Sequence, residues 1–171
     1  MRPTFWQRLD AFARHLTPVA LTLLLVVVNV VPTHLPGAGR ILPVLPLIAV
    51  FYWSIHRPNL MPAVAVFLIG VFQDGLSGTP MGLNALIFLG VHGIVLFQHK
   101  FFQGRSFFIH WLGFALVGAG AGVLAWLLLS AYNVTLFSVD AIAFQYATTV
   151  AAFPLCAFLL SRWQQAFLKV D

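Results

Sequence analysis

The chain has no glutamate, a single cysteine, and only four acidic residues among 171. Asp10, Asp74, Asp140 and Asp171 stand far apart, so the sequence offers no neighbouring pair of carboxylates for general acid and base chemistry. Cys156 alone cannot form an intramolecular disulfide and carries no information about redox compartment. The histidines, His15, His34, His56, His92, His99 and His110, fall mostly at the edges of apolar runs. His92 and His99 share a helical face but have no Cys or carboxylate at ligand spacing, which argues against a metal centre. Neither a phosphate-cradling glycine loop nor a GxSxG elbow occurs. Ser77 with His92 is a formal serine–histidine option, yet Gly75-Leu76-Ser77-Gly78 lacks the pattern that intramembrane proteases carry. The expectation is no catalytic residue, no cofactor and no metal.

What the chain has in abundance is apolar sequence. Hydrophobic residues make up 61% and charged residues 8%, with a mean hydropathy of +0.95. That balance excludes an ordinary water-soluble domain and makes lipid the solvent for most of the chain. Six apolar runs, divided by Pro, Gly and charge, cover residues 17–31, 41–55, 60–73, 83–98, 106–131 and 140–161. Several fall short of the ~20 residues that cross a bilayer perpendicularly, so their ends must recruit flanking residues. The expected fold is all-α: a polytopic membrane protein of six transmembrane helices in an irregular bundle. It forms one membrane-embedded domain, 1–171, with a short N-terminal segment, 1–16, and a C-terminal tail, 162–171.

Alternating those runs across the bilayer puts Arg2, Arg8, Arg14, Arg57, Lys100, Arg105, Arg162 and Lys169 on one side and Arg40 on the other. The positive-inside rule then makes both termini cytoplasmic. It also explains the net charge of +5 and the pI near 10.2 as topology signals, with no need for a nucleic-acid surface. The basic start, the first apolar run and Gly37-Ala38-Gly39 imitate a secretory signal. Thr33, His34 and the prolines make a poor cleavage region, so the run is read as a retained span.

Against this background the stretch from Asp74 to Gly82 stands out as a polar, glycine-rich interruption between two apolar runs. A carboxylate at membrane depth is costly and marks a candidate site by default. Gly75, Gly78 and Gly82 permit positive φ, and Pro80 ends a helix. A tight turn or re-entrant bend follows, in which Asp74 accepts backbone N–H bonds and Ser77, Thr79 and Asn84 complete the network. Three alternatives remain open for Asp74: a structural cap, a partner contact, or a protonatable group in a transport path.

Small residues mark where helices can approach closely in lipid. Ala115, Gly118, Gly122 and Ala125 form one such stripe; Ala143, Ala147 and Ala151 form a second, and Gly82, Leu86, Gly90 and Gly93 a third. Each serves packing within the bundle or docking of a partner's helix. Asn29 reads as interhelical glue, and Pro43, Pro46 and Pro154 argue for kinked helices.

The run Phe72-Gln73-Asp74-Gly75-Leu76-Ser77-Gly78-Thr79-Pro80-Met81-Gly82-Leu83-Asn84-Ala85-Leu86 resembles the signature of the bacterial rod shape-determining MreD family. Tyr52 and Trp53, with Arg57, Pro58 and Pro62, are similar to that family's aromatic and Arg-Pro junction, here assigned to a cytoplasmic loop. The resemblance implies an inner-membrane component of the cell-elongation machinery that supports peptidoglycan synthesis. Its implied partner is a single-span MreC-like protein, and through it the actin-like MreB, the RodA glycosyltransferase and a penicillin-binding transpeptidase. It also implies a fold similar to the membrane-embedded binding subunits of vitamin transporters. The expected function is thus a non-enzymatic scaffold. The rival is a small-molecule binding subunit or transporter component with an outward-facing pocket near Asp74, lined also by Asn84 and Asn29.

Overall fold

The computed structural model describes residues 4–31 and 42–167. Arg2, Arg40, Lys169, and the segment with Thr33, His34 and Gly37-Ala38-Gly39 lie outside the described residues. The described chain is all-helical: α1 (Phe5–Val30), α2 (Leu45–His56), a 3-10 turn (Pro58–Leu60), α3 (Ala63–Ser77), α4 (Leu83–Phe97), the single turn α5 (His99–Phe102), α6 (Phe107–Asn133) and α7 (Val139–Phe167).

Each apolar run became a helix, but the lengths divide them. α1, α6 and α7, at 26, 27 and 29 residues, are long and apolar enough to cross a membrane. At 1.5 Å per residue they reach roughly 39–44 Å, beyond the ~30 Å hydrocarbon core. α2, α3 and α4 have 12, 15 and 15 residues. They span only about 18–22 Å each.

α1 starts at Phe5, well before residue 17, because Gln7 Oε1 accepts the Thr4 N–H at 3.0 Å and closes the helix start. Residues 162–167 of the expected tail are likewise helical, since α7 continues to Phe167.

α2 sits at the centre, packed against α1, α4 and α7, and every residue from Pro46 to Ile55 is buried. Pro46 lies in its first turn, where a missing N–H costs no intrahelical bond. Around α2 run the pairings α1 with α3, α3 with α4, α4 with α6, and α6 with α7. Phe51 of α2 meets Phe102, Phe114 and Phe153 edge-on, at 5.9, 5.2 and 5.8 Å. These edge-to-face contacts join α2, α5, α6 and α7 in one aromatic core.

Two assignments change. Tyr52 and Trp53 are buried residues of α2 rather than members of a loop; only Arg57 and Pro58 occupy the turn that follows. A mostly apolar helix surrounded by protein keeps these aromatic residues helical and buried. The interruption also begins later than Asp74, because α3 runs to Ser77 and ends at Gly78 in the left-handed region, φ +68°.

Candidate functional site

Asp74 lies in the last turn of α3 and is fully buried. Its carboxylate faces the start of α4, whose first N–H groups have no partner within the helix. Oδ2 accepts the Gly82 N–H at 2.9 Å, and both oxygens accept the Asn84 N–H, at 3.1 and 3.2 Å. Oδ1 also accepts from Thr79 Oγ1 at 2.7 Å and Asn84 Nδ2 at 2.8 Å. The acid of one helix therefore caps the next across the turn, reinforced by the positive end of α4. Such bonds to a charged acceptor are worth about 1.5–3 kcal/mol each. Thr79 and Asn84 are the expected members of this network, whereas Ser77 is exposed and lines the neighbouring cavity. Gly82 holds φ +95° at the cap of α4. Gly75, by contrast, is inside α3. Pro80 and Met81 complete the turn between the helices.

Beside the turn is a cavity of about 380 Å³ between the helices, within the size range of small-molecule sites. Its polar lining includes Asn29, Gln73, Asn84, Gln145, Tyr146 and Thr149; Asp74 is not part of it. Most donors in this lining are already engaged: Asn29 Nδ2 with Pro43 O at 2.6 Å, and Tyr146 Oη with Ala115 O at 2.6 Å. Thr149 Oγ1 donates to Gln145 O at 2.7 Å and accepts the Val44 N–H at 3.0 Å. Gln73 differs, because its Oε1 is buried with no hydrogen-bond partner. An unsatisfied buried acceptor costs about 1–3 kcal/mol. Gln73, Gln145 and Thr149 were missed as cavity residues. The signal was there: Gln145 and Thr149 sit one helical turn apart in an apolar run, and Gln73 adjoins Asp74.

The stripe Ala115, Gly118, Gly122 and Ala125 faces inward. A methyl at Gly118 would meet the Tyr146 ring at 3.4 Å, and one at Gly122 would meet Ile142 at 3.9 Å. The stripe thus packs α6 on α7, and Gly118, Gly122 and Ala125 also line the cavity. The other two stripes face outward. Ala143, Ala147 and Ala151 of α7 are exposed, as are Leu86, Gly90 and Gly93 of α4, and nothing lies within 4 Å of a methyl at Gly90 or Gly93.

His92 pairs with Ser54, not with Ser77: Ser54 Oγ and His92 Nδ1 are 2.6 Å apart in the core. Ser54 Oγ also donates its only hydrogen to Val50 O, at 2.6 Å. His92 Nδ1–H must then be the donor to Ser54, the reverse of the arrangement in which an imidazole activates a serine. Among the described residues, no three His, Cys, Asp or Glu side chains gather where they could hold a metal ion.

Together, the helix lengths, the apolar exterior and the internally capped carboxylate define an all-helical membrane protein. The particular kind follows from comparison: the family model of the rod shape-determining protein MreD matches residues 11–169, and the chain belongs to that family. Membership suggests a role in determining rod shape. The chain is also similar to an uncharacterized protein of Rickettsia prowazekii (strain Madrid E), 24% identical over 132 residues, which covers 77% of this chain and 75% of that protein. No solved structure matches significantly.

Proposed function

We propose that the chain is a non-enzymatic inner-membrane scaffold of the cell-elongation machinery. It holds the transmembrane helix of an MreC-like partner and through it supports peptidoglycan synthesis by MreB, RodA and a penicillin-binding transpeptidase. Six crossings with both termini in the cytoplasm accompany this reading, with α2, α3 and α4 completing their passage through flanking residues. Beyond family membership, the observation that carries it is the outward face of α4. Gly90 and Gly93 stand open beside exposed Leu86, Ile94 and Phe97. Glycine on a lipid-facing surface weakens a helix and gains nothing from lipid, whereas a partner helix can approach its backbone closely.

Co-purification of the MreC-like partner with a Gly90→Leu/Gly93→Leu variant tests the docking face. Loss of the partner, with melting unchanged, is expected; full retention would rule that face out. Depletion should convert rods to spheres.

The second reading, a small-molecule binding subunit, is supported by one specific observation, the unpartnered Gln73 Oε1 beside the 380 Å³ cavity. A growth defect cured by one metabolite after depletion would favour it over the scaffold.

A further inference from the structure

At the other end of α4 lies a second cleft, of about 810 Å³, where α1, α2, α5 and α6 converge. α1 contributes Arg14 and His15, and the end of α2 with its turn contributes His56 and Arg57. His99 of α5, Arg105 of the following turn and His110 of α6 complete the basic lining. Among the described residues no carboxylate lines it. The one described acid nearby in sequence, Asp10, reaches Arg14 at 3.8 Å through a side chain that is 76% exposed.

The histidines are arranged as donors. His56 Nδ1 lies 2.9 Å from Tyr52 O, His99 Nε2 3.0 Å from Ile55 O, and His110 Nε2 2.9 Å from Phe102 O. A carbonyl can only accept, so each of these nitrogens carries hydrogen. The opposite nitrogen of the His56 ring is left to take up a proton and become a second donor. The His56 and His110 rings stand 5.4 Å apart, and Tyr52 stacks on His56 at 4.1 Å. Burial lowers the His56 pKa from its ordinary value; His110 and Arg57 act in the same direction, against the bond to Tyr52. Basic groups from four helices are thus crowded into one cleft.

We propose that this cleft binds a phosphate-bearing anion, either a phospholipid head group or a free phosphate compound. Three guanidiniums from separate segments, with an imidazole that gains a second N–H on protonation, match the acceptor oxygens and charge of phosphate, and basic pockets between membrane helices recognise such head groups. Anion binding favours the protonated form of His56, which burial holds below the ordinary histidine range, so affinity rises as pH falls below that range. Basic residues acting only as topology signals would give no preference for this cleft over other basic positions.

The test uses the full chain in phosphatidylcholine nanodiscs. One arm includes a minor fraction of phosphatidylglycerol, with native mass spectrometry counting retained lipid. The other adds inorganic pyrophosphate, followed by calorimetry. Saturable binding of one probe is expected, stronger at about pH 5 than at about pH 7.5. Arg14→Gln/Arg105→Gln, both at exposed positions, should weaken it about 10-fold or more. Arg162→Gln, at a position that does not line the cleft, should leave it intact. Phosphatidylglycerol retention assigns a lipid head group, and pyrophosphate binding alone assigns a free phosphate compound. Binding of neither probe, equal loss in the Arg162 variant, or affinity independent of pH would overturn the proposal.

Discussion

Gly70 of α3 lies directly against the backbone of Ala85 in α4, so a methyl group at position 70 would collide with the Ala85 α-carbon and nitrogen. This contact sets how closely the two helices flanking the Asp74 turn can approach. Backbone cannot swing aside as a flexible side chain can. Gly70→Ala should therefore destabilise the protein by about 1–3 kcal/mol or more, the range for overpacking. Gly90→Ala, where there is open space, should be neutral or slightly stabilising. Thermal melts of the purified variants in one detergent check the pair.

Asp74 should tolerate neither loss of charge nor loss of shape. In Asp74→Asn one oxygen becomes an amide donor, facing either the Gly82 and Asn84 N–H groups or Thr79 and the Asn84 amide. A cost of about 2 kcal/mol is expected, since at least one bond to a charged acceptor is lost. Asp74→Leu should cost more, because the Gly82 and Asn84 N–H groups and the Thr79 hydroxyl lose their acceptor in a part-buried turn, while the Asn84 amide keeps only Thr79 Oγ1 at 3.3 Å. If Asp74 were instead a proton carrier, Asn would keep the fold and lose only activity. Equal melting of wild type and Asp74→Asn would sink the capping account.

The glycines of the family signature should separate into two kinds. Gly78 and Gly82 hold φ of +68° and +95°, where a side chain is strained; alanine should cost roughly 1–2 kcal/mol at each. Gly75 is helical, and a methyl group there would have nothing within 4 Å, so Gly75→Ala should leave stability unchanged or raise it by up to about 1 kcal/mol. Melting temperatures ordered Gly75→Ala highest, with the other two below wild type, are the expected result.

Much of the fold was readable because the boundary residues act locally. Gly82 and Ser106 open α4 and α6, and both helices start within a residue of their expected positions. The bend between α3 and α4 was legible for the same reason, since left-handed glycines and a capping acid lie within a few residues of one another. The position of Tyr52 was not. Its hydroxyl donates to Gln164 Oε1 at 2.9 Å, a partner far along the chain, and no local pattern announces that contact. Nor could the three small-residue stripes be sorted, because lipid and a neighbouring helix are equally apolar and select the same residues. The cavity lining drew on α1, α2, α3, α4, α6 and α7 together, and only their packing brings Gln73 near Gln145 and Tyr146.

The Ser54 and His92 pair offers a direct check on whether its chemistry is structural. Because Ser54 donates to Val50 O, its oxygen receives the His92 N–H and ties α2 to α4 in a buried core. Ser54→Ala removes that acceptor and leaves the imidazole N–H without its partner. Interhelical bonds in membranes are worth about 0.6–1.7 kcal/mol, so a loss near ~1 kcal/mol is expected. Rod shape should still be restored when this variant is expressed in depleted cells, since no nucleophile has been removed. Stable, well-inserted Ser54→Ala protein that failed to restore shape would instead point to a chemical role for the serine. Melting curves add a second check: His92→Asn, which keeps an amide donor for Ser54, should cost less stability than His92→Ala if the pair acts only as a tie between helices.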